Sequence, residues 1–116
     1  MSYFITGSNL LTAYFNTAGT GVNDVTPSVQ GRAVVIASIE VTEVSGGTPN
    51  VTIAIYDPKT PATYYKRNAL AVTAKSTTVY NEPFTLPNNW ELRVTVSSGI
   101  CSVLVNYFNP SAARSA

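Results

Sequence analysis

The sequence predicts an all-β fold: a single β-sandwich of jelly-roll-like form with seven to eight antiparallel strands and essentially no helix. Apolar residues alternate with polar ones almost throughout the chain, and no stretch shows helical spacing. Gly, Pro, Asn and Ser mark turns about every ten residues. The 116 residues suffice for one domain with its own core. We expect residues 1–9 to be an N-terminal arm, 10–109 the sandwich, and 110–116 a flexible tail.

The clearest strand is WELRVTVS, residues 90–97, which begins at the only tryptophan. Its alternation places one set of apolar side chains on a single face and Glu91 and Arg93 on the other. The same pattern marks apolar faces in the strands at residues 33–44, 50–56 and 101–108. The predicted core is therefore Trp90, Leu92, Val94, Val96, Val51, Ile53, Ile55, Ile39, Val41, Val103 and Val105.

The other elements follow from the same alternation and from turn signals. A first strand is expected from Leu10 to Phe15, and the following NTAGTGVNDVTPS is expected to be a loop. The segment 33–44 is predicted to be one bent strand or two short ones, and its apolar face also takes in Val35 and Ala37. Further strands are expected at residues 62–67, 70–74 and 77–80, with SSG as a tight hairpin turn before the last strand.

Trp90 poses the main functional question, because a tryptophan beside a Pro-Asn-Asn turn could anchor the core or stack on a ligand. Its parity with Leu92 favours a plug at one end of the sandwich, and its replacement by Ala is then expected to cost about 3–5 kcal/mol. The neighbouring Asn88 and Asn89 could supply polar contacts, which keeps the ligand-stacking alternative open.

The residues needed for common catalytic sites are missing from the sequence. The chain has no histidine, which removes Ser-His-Asp and Cys-His catalysis and the commonest zinc ligand. The single cysteine, Cys101, allows no intrachain disulfide and shares its parity with Val103, so we expect an inert core thiol. Glu40 and Glu91 lie on outward faces of different strands and could meet as a carboxylate pair. We predict no enzyme activity, no cofactor and no metal site.

Charge and hydropathy narrow the range of partners. Only 11% of the residues are charged against 45% hydrophobic, and the formal net charge is +1, so nucleic acid is not an expected partner. The adjacent Lys66 and Arg67 are expected on a solvated strand edge. No apolar run is long enough to span a membrane, and the N-terminus lacks the features of a signal peptide. Neutral polar and apolar surface suits a subunit that lies against other protein, and it is also typical of a secreted β domain rich in Thr and Ser.

Four segments resemble the strands of small β-sandwich structural proteins of tailed bacteriophage virions. They read QGRAVVIASIEV, NVTIAIYD, STTVYNEPFTLPNNWELRVTVSSG and CSVLVNYF, within a resemblance that spans Leu10 to Phe108. That group includes capsid decoration (cement) proteins and head or tail accessory subunits. The resemblance implies a virion protein, assembled in the host cytoplasm, that binds across joints between major capsid proteins. It also implies contact with other virion subunits or with copies of itself, as in a homo-oligomer such as a trimer.

Two sets of residues are candidates for recognition. For a protein interface they are Tyr3, Phe4, Ile5, Tyr64, Tyr65 and Phe108. For the alternative of a carbohydrate-binding or adhesion module they are Asn88, Asn89 and Trp90, with Tyr64 or Tyr65. A position in the neck or tail of a phage is a further alternative. In the virion interpretation Gly7 and Ser8 form a joint through which the arm reaches a neighbouring subunit, whereas otherwise the arm adds to its own sheet.

Overall fold

The computed structural model describes residues 10–17, 20–27 and 33–108, and these form nine strands with no helix among them. No membrane-spanning helix therefore exists in this part of the chain. The all-β prediction is confirmed, with one strand more than the sequence predicts. The strands are β1 (Leu10–Asn16), β2 (Gly21–Asp24), β3 (Val34–Glu43), β4 (Asn50–Asp57), β5 (Ala62–Ala71), β6 (Thr77–Tyr80), β7 (Phe84–Leu86), β8 (Glu91–Val96) and β9 (Cys101–Phe108).

The topology is that of a long antiparallel hairpin rolled into two sheets. From its tip the hairpin pairs β4 with β5, β3 with β6 and β7, β2 with β8, and β1 with β9. Rolling adds the pairs β3·β9 and β4·β8. Sheet one then has the order β1-β9-β3-β6, with β7 also on β3, and sheet two has the order β2-β8-β4-β5. This arrangement is a jelly roll, as the sequence predicts.

The core lies between the two sheets and consists mainly of β-branched residues. In β8 the alternation works as expected, since Leu92 and Val94 are fully buried while Glu91 and Arg93 lie on the outer face. Every predicted core residue is buried except Trp90, which packs half-buried against the core. The period-two pattern identifies these positions because each strand has one face on the core and one face outside.

The apolar face predicted for β3 is wrong at its first two positions. Val34 and Ile36 point inward, whereas Val35 and Ala37 are half-buried. The pairing with β9 shifts between Ile36 and Ser38, so Ala37 is the extra residue of a β-bulge. One extra residue reverses the parity of a strand, and this is why Ile39 and Val41 are inward as predicted while the positions before the bulge are not.

The predicted loop at residues 16–28 contains a strand, β2, that pairs with the middle and end of β8, from Arg93 to Val96. Its sequence GVND has a Gly, an Asn and an Asp, which are all unfavourable in strands, so local propensity indicated a turn. Pairing with β8 overrides that propensity. Two polar contacts help, because the Val25 N–H donates to the Leu92 carbonyl at 2.8 Å and the Leu92 N–H donates to the Thr26 hydroxyl at 2.9 Å.

The strands predicted separately at 62–67 and 70–74 are largely one strand, β5, which ends at Ala71. Its pairing with β4 shifts register twice, and Ala69 adopts a left-handed conformation with φ of 60°. The Ala69 N–H donates to the Thr52 hydroxyl at 3.2 Å, which supports this irregular segment. The short strand β7 was not predicted, because three residues between prolines carry too little pattern to identify a strand.

Glu43, at the end of β3, binds the loops at one end of the sandwich together. Its side chain is fully buried, and its carboxylate accepts hydrogen bonds from the Ser45 hydroxyl and from the N–H groups of Ser45, Gly46, Gly47 and Lys75. These donors lower the pKa of Glu43 from 4.5 to about 2, the Ser45 hydroxyl most of all, against the opposing effect of burial. One carboxylate thus joins the β3–β4 and β5–β6 connections.

Gly99, in the β8–β9 hairpin, lies against this carboxylate, so we expect Gly99→Ala to be destabilising. A Cβ there would come within 2.5 Å of the Ser45 hydroxyl and 3.0 Å of Glu43 Oε2, at a φ of +72°. Gly46→Ala is the matched control, since φ is +100° but the nearest atom lies 3.8 Å away. Urea unfolding should show a loss of about 1–3 kcal/mol for Gly99→Ala and a smaller loss for Gly46→Ala. Equal losses would mean that backbone strain alone matters.

Candidate functional site

Trp90 sits at the opposite end of the sandwich from Glu43, directly after a tight turn. The Trp90 N–H donates to the Pro87 carbonyl at 3.1 Å, and Asn89 has a φ of +70°, as the third residue of a type II turn requires. Asn89 therefore adopts a left-handed backbone conformation, which Asn tolerates better than most residues do. Asn88 is exposed beside it.

Tyr64 covers one face of Trp90. The two rings are stacked, with centroids 5.5 Å apart and an angle of 15° between their planes, although Tyr64 remains 51% exposed. This pair reaches across sheet two, because Tyr64 lies on β5 and Trp90 precedes β8. The prediction that Trp90 faces the core is confirmed, but Trp90 is a half-buried rim residue and not a sealed plug.

A small pocket of about 90 Å³ adjoins Trp90, with Pro27, Leu86 and Pro87 in its walls. Pockets that enclose a small molecule usually have about 300 Å³ or more. With one ring face of Trp90 taken by Tyr64, the alternative ligand face of Asn88, Asn89 and Trp90 offers an edge and a shallow pocket for a ligand.

The structure does not bring the predicted protein-interface residues together. Tyr64 joins Trp90 at the end of the sandwich, while Tyr65 is exposed on the outer face of sheet two, on the same side as its partner Ala54. Phe108 lies on the outer face of sheet one, at the end of β9. Residues 3–5, the remaining part of the set, lie outside the described residues.

The outer face of sheet one carries a broad apolar surface that the sequence analysis missed. One row across the sheet runs through Leu10, Phe108 and Val35, and a second runs through Tyr14, Leu104, Glu40 and Val79. Tyr14 is 72% exposed, and Leu10 and Val79 are exposed by about half. We call this surface, formed by Leu10, Val35, Tyr14, Leu104, Val79 and Phe108, the outer apolar face. Its sequence signal is the strand CSVLVNYF, which has large side chains on both faces.

A fixed polar row separates the two apolar rows. The Thr12 hydroxyl donates to Asn106 Oδ1 at 2.8 Å, and Asn106 Nδ2 donates to Ser38 Oγ at 2.9 Å and to Glu40 Oε2 at 3.1 Å. These bonds hold the four polar side chains of the row in place. A preorganised row of this kind loses little side-chain entropy when a partner binds.

Glu40 and Glu91 cannot meet, because they lie on the outer faces of opposite sheets. Glu91 instead forms a salt bridge with Arg93 at 2.9 Å, and the Arg93 guanidinium lies 3.6 Å from the centroid of the Tyr56 ring. Elsewhere, the Lys66 ammonium lies 4.9 Å from the centroid of the Phe84 ring. Glu91 and Arg93, on the outer face of sheet two, are therefore partners of each other and of Tyr56, whereas Lys66 lies over a ring of the core.

Cys101 is fully buried beside Val103, as predicted. Burial raises the pKa of its thiol, and the Glu43 carboxylate adds to that rise. A thiol of raised pKa in an apolar site is a poor nucleophile. Within the described residues, no three side chains of the His, Cys, Asp and Glu types are grouped as metal ligands would be.

No family model and no curated protein matches the chain. Among solved structures, the capsid of Helicobacter pylori bacteriophage KHP30 contains a chain with a TM-score of 0.52 and 18% identity; the match covers 89% of this chain and 88% of that one. The T13 particle of IBDV (infectious bursal disease virus) gives a TM-score of 0.55 and 9% identity. That match covers 91% of this chain but 32% of the other, so this chain spans about a third of its length. The resemblance to virion structural proteins is confirmed in the fold: this chain has a jelly roll of the kind found in viral capsids.

Proposed function

We propose that this protein is a non-enzymatic structural subunit of a virion, and specifically a decoration protein on the outside of a phage capsid. The observation that carries the proposal is the match to the KHP30 capsid structure, which takes in nearly the whole of both chains. A chain of nearly this length and fold is thus a component of a phage capsid. In the IBDV particle the same fold is one part of a larger chain, so the fold also serves as a domain there.

The outer apolar face is the surface through which we propose contact with the major capsid protein. It combines exposed aromatic and aliphatic side chains with the Asn106 row, which has its hydrogen bonds satisfied. Buried area contributes about 25 cal/mol per Å² before the costs of association are subtracted. Glu40 is the carboxylate on this surface, so a partner that covers it must supply a cation or a hydrogen-bond donor to offset its desolvation.

The proposed mechanism is mechanical. A subunit that binds across a joint between two capsid proteins adds contact area that must be broken before the shell opens. Because the same joint repeats over the capsid, a modest contact acts many times, and subunits that also contact one another bind with higher avidity. A homo-oligomer such as a trimer would strengthen this effect.

Binding to particles that lack the protein tests the proposal. Val79→Lys places a charge on the outer apolar face at a position 51% exposed, and Val22→Lys places the same charge on the outer face of sheet two at a position 62% exposed. We expect Val79→Lys to weaken particle binding roughly tenfold or more and Val22→Lys to have little effect. Cryo-electron microscopy of decorated particles gives the location. Binding at the neck or tail would favour an accessory subunit, and no binding to any particle would contradict the virion role.

The Tyr64–Trp90 pair, an exposed ring stacked on a half-buried one, supports a second candidate, a carbohydrate-binding module. Stacked aromatic rings at the rim of a β-sandwich can pack on the apolar face of a sugar ring, and Asn88 stands exposed beside them. Titration with a glycan panel, monitored by Trp90 fluorescence, separates the two functions. We expect no spectral change. A saturable shift that Tyr64→Ala abolishes would replace the virion proposal with the carbohydrate one.

A further inference from the structure

Strand β1 is poorly covered on its inward side. Leu11 is 42% exposed, and Ala13 and Phe15 are half-buried, although all three point between the sheets. The inward residues of the neighbouring strand β9, such as Val103 and Val105, are fully buried. The difference arises because β1 is the edge of sheet one, with β9 as its neighbour on one side, whereas β9 lies between β1 and β3. Among the described residues, no strand pairs with the second edge of β1.

Strand β1 also lacks the features that protect edge strands. Its seven residues LLTAYFN contain no charge and no proline, and they pair with β9 without a register shift. The edge of sheet two at β5 is different, since it carries Lys66 and Arg67, two register shifts and the left-handed Ala69. Natural sheets discourage strand addition with devices of this second kind. The edge of β1 is therefore suited to accept another strand.

We propose that the edge of β1 binds residues 2–6 of a second copy of this chain as an added antiparallel strand. The occupant must be apolar on both faces, because β1 exposes Leu11 on its inward side and Leu10 and Tyr14 on its outward side. The segment SYFIT meets this requirement with three consecutive apolar residues. Nine residues precede Leu10, so every copy carries both the segment and the edge. The inference rests on the proposed function in that it describes how copies join on a particle.

The register of the added strand follows from the side chains that the edge of β1 presents. In antiparallel pairing, the segment of a second copy can place Phe4 opposite Ala13, next to both Leu11 and Phe15. Tyr3 then lies opposite Tyr14, which gives an aromatic cross-strand pair on the outward side.

Self-association of the purified full-length protein tests the inference without any particle. Sedimentation velocity over a range of concentrations should show oligomers for the wild type. Phe4→Asp in the segment and Leu11→Lys in the edge should each weaken association at least tenfold, because each places a charge where apolar contact is required. Leu11 is exposed enough for a lysine to reach water, so the fold should persist, as circular dichroism can verify. Val79→Lys, on the far edge of the same sheet, is the matched control and should associate normally.

Other outcomes would overturn the inference. A wild type that is monomeric at every concentration, and that melts earlier with Phe4→Asp, would place the segment on its own chain. Loss of association in Phe4→Asp alone would mean that the segment docks elsewhere, and loss in Leu11→Lys alone would mean that another strand occupies the edge. In each case the capsid proposal is judged separately, because it rests on the difference in particle binding between the wild type and Val79→Lys, and both of these proteins carry the same β1 edge.

Discussion

Glu43→Gln is expected to lower the melting temperature by on the order of 10 °C, although it removes no atom of the core. The carboxylate has two oxygens, and both are occupied. Oε1 accepts from the Gly46 and Lys75 N–H groups at 2.8 and 3.0 Å, and Oε2 accepts from Ser45 and Gly47. An amide has one oxygen and one NH₂ group, so in either orientation its NH₂ faces backbone donors. A buried N–H group that is left without an acceptor costs free energy. In this variant the NH₂ group also repels the backbone N–H groups that it faces.

Thermal unfolding followed by circular dichroism measures this effect, and Glu40→Gln is the matched control. Glu40 is a half-buried glutamate of the same strand that accepts one described hydrogen bond, from Asn106 at 3.1 Å. Its replacement should change the melting temperature by a few degrees at most. Similar effects of the two substitutions would show that the loops hold together without the Glu43 carboxylate.

Glu43 also makes the stability of the fold dependent on pH in the acidic range. The folded pKa of Glu43 is about 2 and its ordinary value is 4.5, so protons bind more tightly to this group in the unfolded chain. The stabilisation is therefore fully present above pH 4.5 and is lost as the pH falls from 4.5 towards 2. Urea midpoints of the wild type should decline over this range, and those of Glu43→Gln should decline less. Parallel declines would assign the acid sensitivity to other carboxylates.

The role of Glu43 could not be predicted from the sequence, for a physical reason. Its donors come from its own turn, Ser45 to Gly47, and from Lys75, which is 32 positions away. Only the rolled hairpin brings these segments together. The core, by contrast, was predictable because each strand shows its own alternation. The β3 prediction failed where a bulge at Ala37 breaks that alternation, and β2 was missed because its residues take strand form only against β8.

The candidate sites likewise include features that one strand shows by itself and features that only the folded sheets create. Tyr64 and Tyr65 are both interface candidates from the sequence, which predicts that they point to opposite faces of one strand. The sequence does not show which surface each joins: Tyr64 stacks on Trp90, and Tyr65 lies on the outer face of sheet two. The outer apolar face is formed by residues that pair across neighbouring strands and not by neighbours in the sequence. Tyr14, for example, pairs with Leu104 from the far end of the chain. A prediction of such a face requires the strand order, and the jelly-roll order is knowable only when strands as short as β2 and β7 have been found.

Trp90→Ala is expected to reduce the free energy of unfolding by about 3 kcal/mol, at the low end of the 3–5 kcal/mol expected for a sealed core residue. A half-buried tryptophan removes on the order of 100 Å² of apolar surface from water, which corresponds to roughly 2.5 kcal/mol, and a stacked ring pair adds about 0.5–1.5 kcal/mol. Tyr64→Ala should lose the stacking term and part of its own burial, about 1–1.5 kcal/mol.

The double variant decides whether the stack itself stabilises the fold. If it does, Trp90→Ala and Tyr64→Ala together should cost less than the sum of the two single changes by about 0.5–1.5 kcal/mol, because the stack is lost once and not twice. Urea unfolding supplies all of these values, and Leu92→Ala, at the next inward position of β8, provides a fully buried reference at about 2–5 kcal/mol. If Trp90→Ala unfolds at the wild-type midpoint but loses binding to a glycan, Trp90 belongs to a ligand site, and the aromatic pair exists for recognition and not for stability.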